Sequence, residues 1–107
     1  MRKLARALLL ISLTLAATAD SFAGTDKPTG PLQLFNLGLQ PVRVPPNPQG
    51  ALLLGEATGC YIEFVGRGQG EAVYQFRVGP TSRVNSVDKC AESLRRQPGV
   101  TSVTIAR

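Results

Sequence analysis

The sequence has no histidine, no tryptophan and only two cysteines among its 107 residues. Without histidine there is no imidazole to act as a base, an acid or a metal ligand. Catalysis by a Ser-His or Cys-His pair is therefore excluded, and so are zinc sites that contain histidine. Two thiols are also too few for a four-cysteine metal site. The composition predicts no metal site and no cofactor, and the length is sufficient for one domain.

Long apolar runs are scarce too, with one exception near the N-terminus. Three basic residues in the first six positions precede an uncharged run of 13 residues, 7–19. A helix of that length rises about 20 Å, whereas a bilayer's hydrocarbon core is about 30 Å thick. Small residues at the spacing that signal peptidase recognises follow the run. The pattern predicts a signal peptide over residues 1–23, cleaved after Ala23 or, as the alternative, after Ala19. A buried N-terminal helix or a membrane anchor is the less favoured interpretation.

The charge of the exported chain is modest. The full sequence carries a net charge of +5, and loss of residues 1–23 removes three basic residues and one acidic residue, which leaves +3. The remaining basic residues are scattered, whereas nucleic-acid binding usually requires a basic stripe with interleaved aromatic residues. We therefore expect a periplasmic or extracellular protein with no nucleic-acid partner and no membrane span after cleavage.

Six of the eight prolines lie in residues 24–50. Proline fixes φ and removes a backbone donor, so we expect this segment to be non-helical and to avoid a central strand position. Its leucines, valines and one phenylalanine are too many for a free linker. The segment is predicted to be an extended arm with a short edge strand near residues 32–39. The arm docks on its own domain or, as the alternative, on a partner.

Residues 51–107 are predicted to form a small disulfide-linked α+β domain. Residues 52–54 are a short apolar run that is consistent with a strand. Residues 60–65 and 72–78 alternate in polarity around a glycine-rich turn, which is typical of a β-hairpin. Phe64 is expected to pair with Tyr74 or Phe76.

A helix over residues 85–97 and a strand over residues 100–105 complete the predicted domain. Val87, Cys90, Ala91 and Leu94 form one apolar stripe, Asn85 or Ser86 can cap the first turn, and a Pro-Gly pair ends the helix. The order strand, strand, helix, strand predicts one helix packed on one face of a small antiparallel or mixed sheet. A right-handed crossover is expected to place the last strand beside the first hairpin strand.

The two cysteines are predicted to form a disulfide. Cys60 lies on the inward face of the hairpin and Cys90 on the inward stripe of the helix, and export favours oxidation. A bond that closes a loop of this length stabilises the fold by roughly 3–4 kcal/mol in the chain-entropy model. Two free thiols or a redox pair are the alternatives.

Few other residues suggest chemistry. Gly66, Gly68 and Gly70 resemble part of a phosphate loop, but a strand rather than a helix follows them, so a hairpin tip is favoured. The six carboxylates of the exported chain do not converge on one cleft, and an enzyme is not expected. The outer sheet face is expected to be solvated or covered by the arm. If it binds a partner instead, Tyr61 and Arg77, together with Arg67 at the hairpin tip, are the possible partner-binding residues.

The segment LRRQPGVTSVTI, residues 94–105, resembles the helix-to-last-strand unit of several ferredoxin-like domains. Heavy-metal-associated domains and the subtilisin-propeptide inhibitor family share this leucine, Pro-Gly-Val, x-x-Val ending. The first family carries metal on a Cys-x-x-Cys motif that this sequence lacks. The second is expected to have an additional first helix, which the sequence pattern does not predict.

These observations favour a small exported module that is not an enzyme and binds another exported protein. The first alternative is a peptidase inhibitor or a pro-segment-like chaperone, because a free C-terminal strand can pair with the edge of a partner. The second is a small carbohydrate-binding or hydrolytic protein that uses Tyr61 and Glu63. The oligomeric state and the identity of the partner are not predicted.

Overall fold

Four strands and two helices form along residues 27–106, which are the residues that the computed structural model describes. In chain order the elements are β1 (Gln33–Leu39), α1 (Pro48–Thr58), β2 (Tyr61–Arg67), β3 (Val73–Gly79), α2 (Val87–Arg95) and β4 (Val100–Ile105). The predicted α+β class is confirmed. The predicted signal peptide lies outside the described residues.

The strands form one antiparallel sheet in the order β2-β3-β1-β4. Each helix connects two strands that are parallel to each other and separated by a third strand. This β-α-β-β-α-β order is that of ferredoxin-like domains. Both helices contribute to a single core on one face of the sheet, and no helix of residues 27–106 lies over the other face.

The prediction of an edge strand near residues 32–39 was wrong in its position. β1 lies in the middle of the sheet, where it pairs with β3 on one side and with β4 on the other. The prolines do not prevent this, because they precede Gln33 or follow Leu39 and so leave every amide of the strand in place. The arm therefore docks on its own domain, and it does so as a central strand.

The expectation of a strand at residues 52–54 was also wrong, because these residues lie within α1. The side chain of Asn47 accepts a hydrogen bond from the amide of Gly50 at 3.0 Å, and Pro48 occupies the first turn. A proline is well tolerated there, since the first amides of a helix have no partner within it. The predicted boundary between residues 50 and 51 thus falls inside a helix.

The hairpin has its predicted register. Phe64 pairs with Phe76, and the two rings contact edge to face with centroids 5.4 Å apart. The register shifts between Phe64 and Gly66, which marks a bulge near the tip. Ala72 adopts a positive φ of 58° just before β3.

The helix predicted near residues 85–97 is confirmed with slightly shorter bounds. Ser86 caps it by accepting a hydrogen bond from the amide of Lys89 at 3.1 Å. Cys90, Ala91 and Leu94 are its buried residues, as the stripe predicts. Gly99, with a φ of 92°, reverses the chain into β4.

The last strand has its predicted bounds but a different neighbour. It pairs with β1, and the expectation that it lies beside the first hairpin strand was wrong. β1 occupies the position beside β3, so the crossover through α2 passes over β1 and places the last strand on its far side, at the edge away from β2. A register shift at Gly38 and Leu39 also pairs Leu39 with Val100. Val100 packs against the core and is not on the outer face, where it was expected.

The core lies between the helices and the sheet, and Phe35, Leu37, Phe76 and Leu94 are its largest fully buried side chains together with Val78. The predicted disulfide between Cys60 and Cys90 is present, and the Cα atoms of the two residues are 6.1 Å apart. It joins the start of β2 to the middle of α2. Both cysteines are buried, so the bond is part of the core.

Candidate functional site

The candidate site is the sheet face that no helix covers, called the open face below. Its members alternate with the buried side chains along each strand. They are Leu34 and Asn36 on β1, Tyr61 and Glu63 on β2, Val73, Gln75 and Arg77 on β3, and Ser102 and Thr104 on β4.

One end of the open face carries an ordered polar cluster. Tyr61 donates its hydroxyl hydrogen to one oxygen of Glu63 at 2.8 Å, and Arg77 donates to the other oxygen at 3.2 Å. Glu63 and Arg77 lie directly opposite each other on neighbouring strands, and Tyr61 is two residues along β2 on the same face. The carboxylate thus holds the tyrosine and the arginine, both predicted partner-binding residues, in one fixed arrangement.

The cluster shifts the ionisation of its members. The hydrogen bond to Glu63 raises the pKa of Tyr61 above its ordinary value near 10, and partial burial and the negative charge of Glu63 add to the effect. The hydrogen bonds from Tyr61 and then Arg77 lower the pKa of Glu63. At neutral pH the tyrosine is therefore a neutral donor and the glutamate is ionised.

This ionisation bears on the hydrolytic alternative. A general acid must be protonated near the working pH, which requires a raised carboxyl pKa. Glu63 has the opposite shift, and it is the only acidic residue on the four strands of the described part. A second carboxylate across a cleft, which glycoside hydrolysis requires, is not present on these strands.

The other end of the open face is polar but uncharged. Asn36, Gln75, Ser102 and Thr104 line a concavity of about 480 Å³ together with Gln69 and Val73. Asn36 lies opposite both Gln75 and Thr104 in the sheet. Within residues 27–106 the amides and hydroxyls of this group have no hydrogen-bond partner in the protein, so they remain available to a ligand.

The segment before β1 borders the Tyr61 end of the open face. A side chain built on Gly79, which lies opposite Tyr61, would overlap Leu32 and come within 3.7 Å of Pro28. The amide of Thr29 donates to the carbonyl of Pro80 at 2.8 Å and fixes this approach. The proline-containing segment therefore covers one end of the face and leaves the centre open.

Arg67 is not part of the open face. It lies at the end of β2, and its guanidinium is 5.7 Å from the centroid of the Tyr74 ring, on the side of the sheet that faces the core. The structure thus brings two of the three predicted partner-binding residues together and places the third elsewhere. Leu34 and Asn36 were missed, because their strand was predicted to lie at an edge.

A second, apolar groove lies between α1 and β2. It has a volume of about 300 Å³ and is lined by Pro48, Ala51, Leu52, Gly55, Ile62, Glu63 and Phe64.

Within residues 27–106, no three His, Cys, Asp or Glu residues lie close enough together to bind a metal ion. Neither helix of this part of the chain is both long and apolar enough to cross a membrane.

The chain was also compared with known proteins. No family model matches the sequence, and no curated protein and no solved structure is significantly similar to it.

Proposed function

We propose that this chain is an exported module that is not an enzyme and binds another protein through the open face of its sheet. The observation that carries the proposal is the arrangement on that face of a fixed Tyr61–Glu63–Arg77 cluster beside Leu34. Tyrosine and arginine are the residues that most often dominate binding energy at protein interfaces. Here the intervening carboxylate already orders both, so a partner loses little side-chain entropy by binding them.

The uncharged end of the face adds to this interpretation. Asn36, Gln75, Ser102 and Thr104 can each donate and accept hydrogen bonds. A surface that combines an aromatic residue, an arginine, an aliphatic residue and neutral polar groups has the composition of a non-obligate protein interface. The disulfide is compatible with an oxidising compartment, where the partner would also be located.

Site-specific photo-crosslinking tests the proposal. A photoreactive phenylalanine analogue replaces Gln75 at the centre of the open face or, as the matched control, Glu92 on the exposed side of α2. In cells that export the protein we expect a discrete adduct from position 75 and none from position 92. Equal adducts from both positions, or none from position 75, would contradict the proposal.

A substitution sharpens the same experiment. Tyr61→Ala should reduce the adduct from position 75 severalfold, because it removes an anchoring side chain from the same face, four residues along β3 from the crosslinker. Glu92→Ala, on the opposite side of the molecule, should leave the yield unchanged. If both substitutions act alike, the adduct does not depend on the open face.

One specific observation supports the alternative that the protein is a peptidase inhibitor. The additional first helix that the subtilisin-propeptide inhibitor family is expected to have is present here as α1. The resemblance of residues 94–105 to that family therefore extends to the order of the elements. Incubation of the mature protein with a subtilisin-type protease tests this candidate. Loss of protease activity at a fixed ratio supports it, and rapid degradation with no loss of activity contradicts it.

A further inference from the structure

β4 is an edge strand whose outer side is unpaired within residues 27–106. The amide of Ala106 donates to the carbonyl of Leu34 at 2.9 Å, so these two residues form a hydrogen-bonded pair between β4 and β1. The pairs Phe35–Ile105 and Leu37–Val103 are therefore non-hydrogen-bonded pairs. Because hydrogen-bonded and non-hydrogen-bonded pairs alternate in an antiparallel ladder, the backbone polar groups of Val103 and Ile105 point away from β1. These groups are the donors and acceptors that an added strand would use.

Arg95 lies at this edge. Its side chain is exposed, and its Nη2 atom donates to the carbonyl oxygen of Val103 over a long distance of 3.5 Å. No carboxylate within the described part of the chain pairs with it. Arg95 also lines a groove of about 340 Å³ along β4 with residues 100–103. A guanidinium without a carboxylate partner is thus held next to a strand edge that has no neighbouring strand.

The surroundings of Arg95 are positive. Arg96 follows it, and Arg43 packs beside Gly99 at the start of β4. On the same helix the carboxylate of Glu92 is 4.0 Å from Arg96, and both of these side chains are largely exposed. A ligand that carries negative charge is therefore favoured at this edge.

The opposite edge of the sheet lacks these features. On β2 the one basic residue, Arg67, is already placed over the Tyr74 ring. Three large apolar side chains on that side are also exposed, namely Leu52, Leu53 and Val65. The contrast indicates that the basic character of the β4 edge is local and is not a property of sheet edges in this molecule.

We propose that the β4 edge binds an extended acidic segment of a partner protein as a fifth strand, with Arg95 pairing with a carboxylate of that segment. Addition of a strand to a free edge is a common mode of peptide recognition, in which main-chain hydrogen bonds give affinity and side chains give specificity. The proposal depends on the backbone edge of β4 and on Arg95, and not on the Tyr61–Glu63–Arg77 cluster, so it stands or fails independently of the function proposed above.

Arg95 also accounts for selectivity. In the free protein it donates to the carbonyl of Val103, which an incoming strand needs as an acceptor. A strand with a suitably placed carboxylate replaces this long bond with a short, charge-assisted one. A strand without a carboxylate must displace the arginine without any compensation. The same side chain therefore protects the edge from neutral strands, as charged residues on edge strands generally do.

Synthetic peptides test the proposal with the full exported chain. The probe is a fluorescein-labelled seven-residue peptide that alternates threonine and glutamate, so that the threonines can lie beside Ser102 and Thr104 while the glutamates face Arg95. Its neutral counterpart has glutamine in place of glutamate. We expect the acidic peptide to bind about tenfold more tightly at low salt, as for a hydrogen bond to a charged group. The preference should decrease as salt is added.

Two variants of equal charge locate the effect. Arg95→Ala should reduce the preference for the acidic peptide to about twofold, the remainder arising from the net positive charge of the protein. Arg67→Ala loses the same charge at the other edge and should keep the full preference. Both arginines are exposed, and unchanged urea midpoints would establish that the variants remain folded.

Two further measurements separate strand addition from general attraction. A peptide with the same residues but with N-methylated backbone amides keeps its charges and cannot form a ladder, so it should bind much more weakly. The backbone amide resonances of Val103 and Ile105 should shift on addition of the unmodified acidic peptide. Equal binding of the methylated peptide, shifts confined to β2, or a preference that persists in Arg95→Ala would each overturn the proposal.

Discussion

The two helices cover the same face of the sheet but pack against it in different ways. α2 packs through side chains, with Cys90, Ala91 and Leu94 buried along one stripe. α1 buries the side chains of Ala51 and Leu54, but it also packs through its backbone at Gly50 and Gly55, while Leu52 and Leu53 remain 37% and 43% exposed. A methyl group on Gly50 would overlap the carbonyl oxygen of Pro45, and one on Gly55 would lie 3.3 Å from the carbonyl oxygen of Cys60.

This difference determines which substitutions each helix tolerates. A helix that packs through side chains is destabilised when a side chain is shortened, because a cavity remains. A helix that packs through its backbone is destabilised when a side chain is added. Large effects are therefore expected from opposite kinds of substitution in α1 and α2.

The largest effect is expected in α2. Leu94 is fully buried, so Leu94→Ala should lower the free energy of unfolding by about 2–5 kcal/mol. Urea unfolding with the disulfide intact measures it. Glu92→Ala is the control on the exposed side of the same helix and should cost less than about 0.5 kcal/mol, since it loses one weak contact with Arg96. Equal costs would mean that α2 does not face the sheet as described.

A smaller effect of opposite origin is expected in α1. Alanine has the higher helix propensity, yet Gly50→Ala should lower the free energy of unfolding by about 1–3 kcal/mol, because the new methyl group must displace the Pro45 carbonyl. Gly66→Ala is the matched control, since nothing lies within 4 Å of a side chain built there. The control should leave stability unchanged or raise it by up to about 1 kcal/mol. If Gly50→Ala stabilises the protein, then α1 does not pack closely through its backbone at Gly50, and the two helices do not differ in this way.

Removal of the N-cap side chain should destabilise the protein by a similar amount in each helix. Asn47→Ala and Ser86→Ala should each lower the free energy of unfolding by about 1 kcal/mol, because each leaves an amide of the first turn without its acceptor. Asn85→Ala is the control, since Asn85 contacts only the exposed side chain of Lys89. Thermal unfolding of the three variants compares them. If Asn85→Ala is more destabilising than Ser86→Ala, then Ser86 is not the N-cap of α2.

The smallest effect on stability is expected from a change of pH that disrupts the Tyr61–Glu63 contact on the open face, away from both helices. The folded protein raises the pKa of Tyr61, so the contact with Glu63 stabilises the fold below the ordinary tyrosine pKa near 10 and is lost as the pH rises through the folded value. Glu63 has a lowered pKa, so its contribution is present above its ordinary pKa near 4.5 and is lost as the pH falls through the folded value.

Titration of the ring carbon next to the Tyr61 hydroxyl by NMR measures this coupling directly. Glu63→Gln should move the pKa of Tyr61 back toward 10, because the charged acceptor is lost. Glu71→Gln, at the hairpin tip, should leave it where it is. An unchanged pKa of Tyr61 in Glu63→Gln would show that the carboxylate does not raise the pKa of the tyrosine.

The same contrast between the helices explains what could be predicted from the sequence. α2 has a stripe of side chains at helical spacing, and that pattern predicts its position, its buried residues and, with Cys60, the disulfide. α1 has three consecutive leucines and two glycines, so its buried positions include residues without side chains and produce no stripe. Its remaining signature, Asn47 followed by Pro48, lies in a proline-rich segment that argued against a helix.

The candidate site was predictable in part for a related reason. The alternation along residues 60–65 and 72–78 places Tyr61 and Arg77 on the outer face, and the register confirms this. The contribution of β1 was not predictable from its local pattern, because pairing with two distant strands is a tertiary property. Leu34 and Asn36 therefore entered the site only when the position of β1 was known.

The strand order has a consequence for a chain cut at the hairpin tip. A cut between Arg67 and Val73 divides the protein into one piece with β1 and β2 and another with β3 and β4. In the order β2-β3-β1-β4 the strands of the two pieces then alternate across the sheet, so that every ladder joins one piece to the other. The bond between Cys60 and Cys90 also connects the pieces. Such a nicked molecule remains one covalent, interleaved unit, and neither half has a sheet of its own into which it could separate.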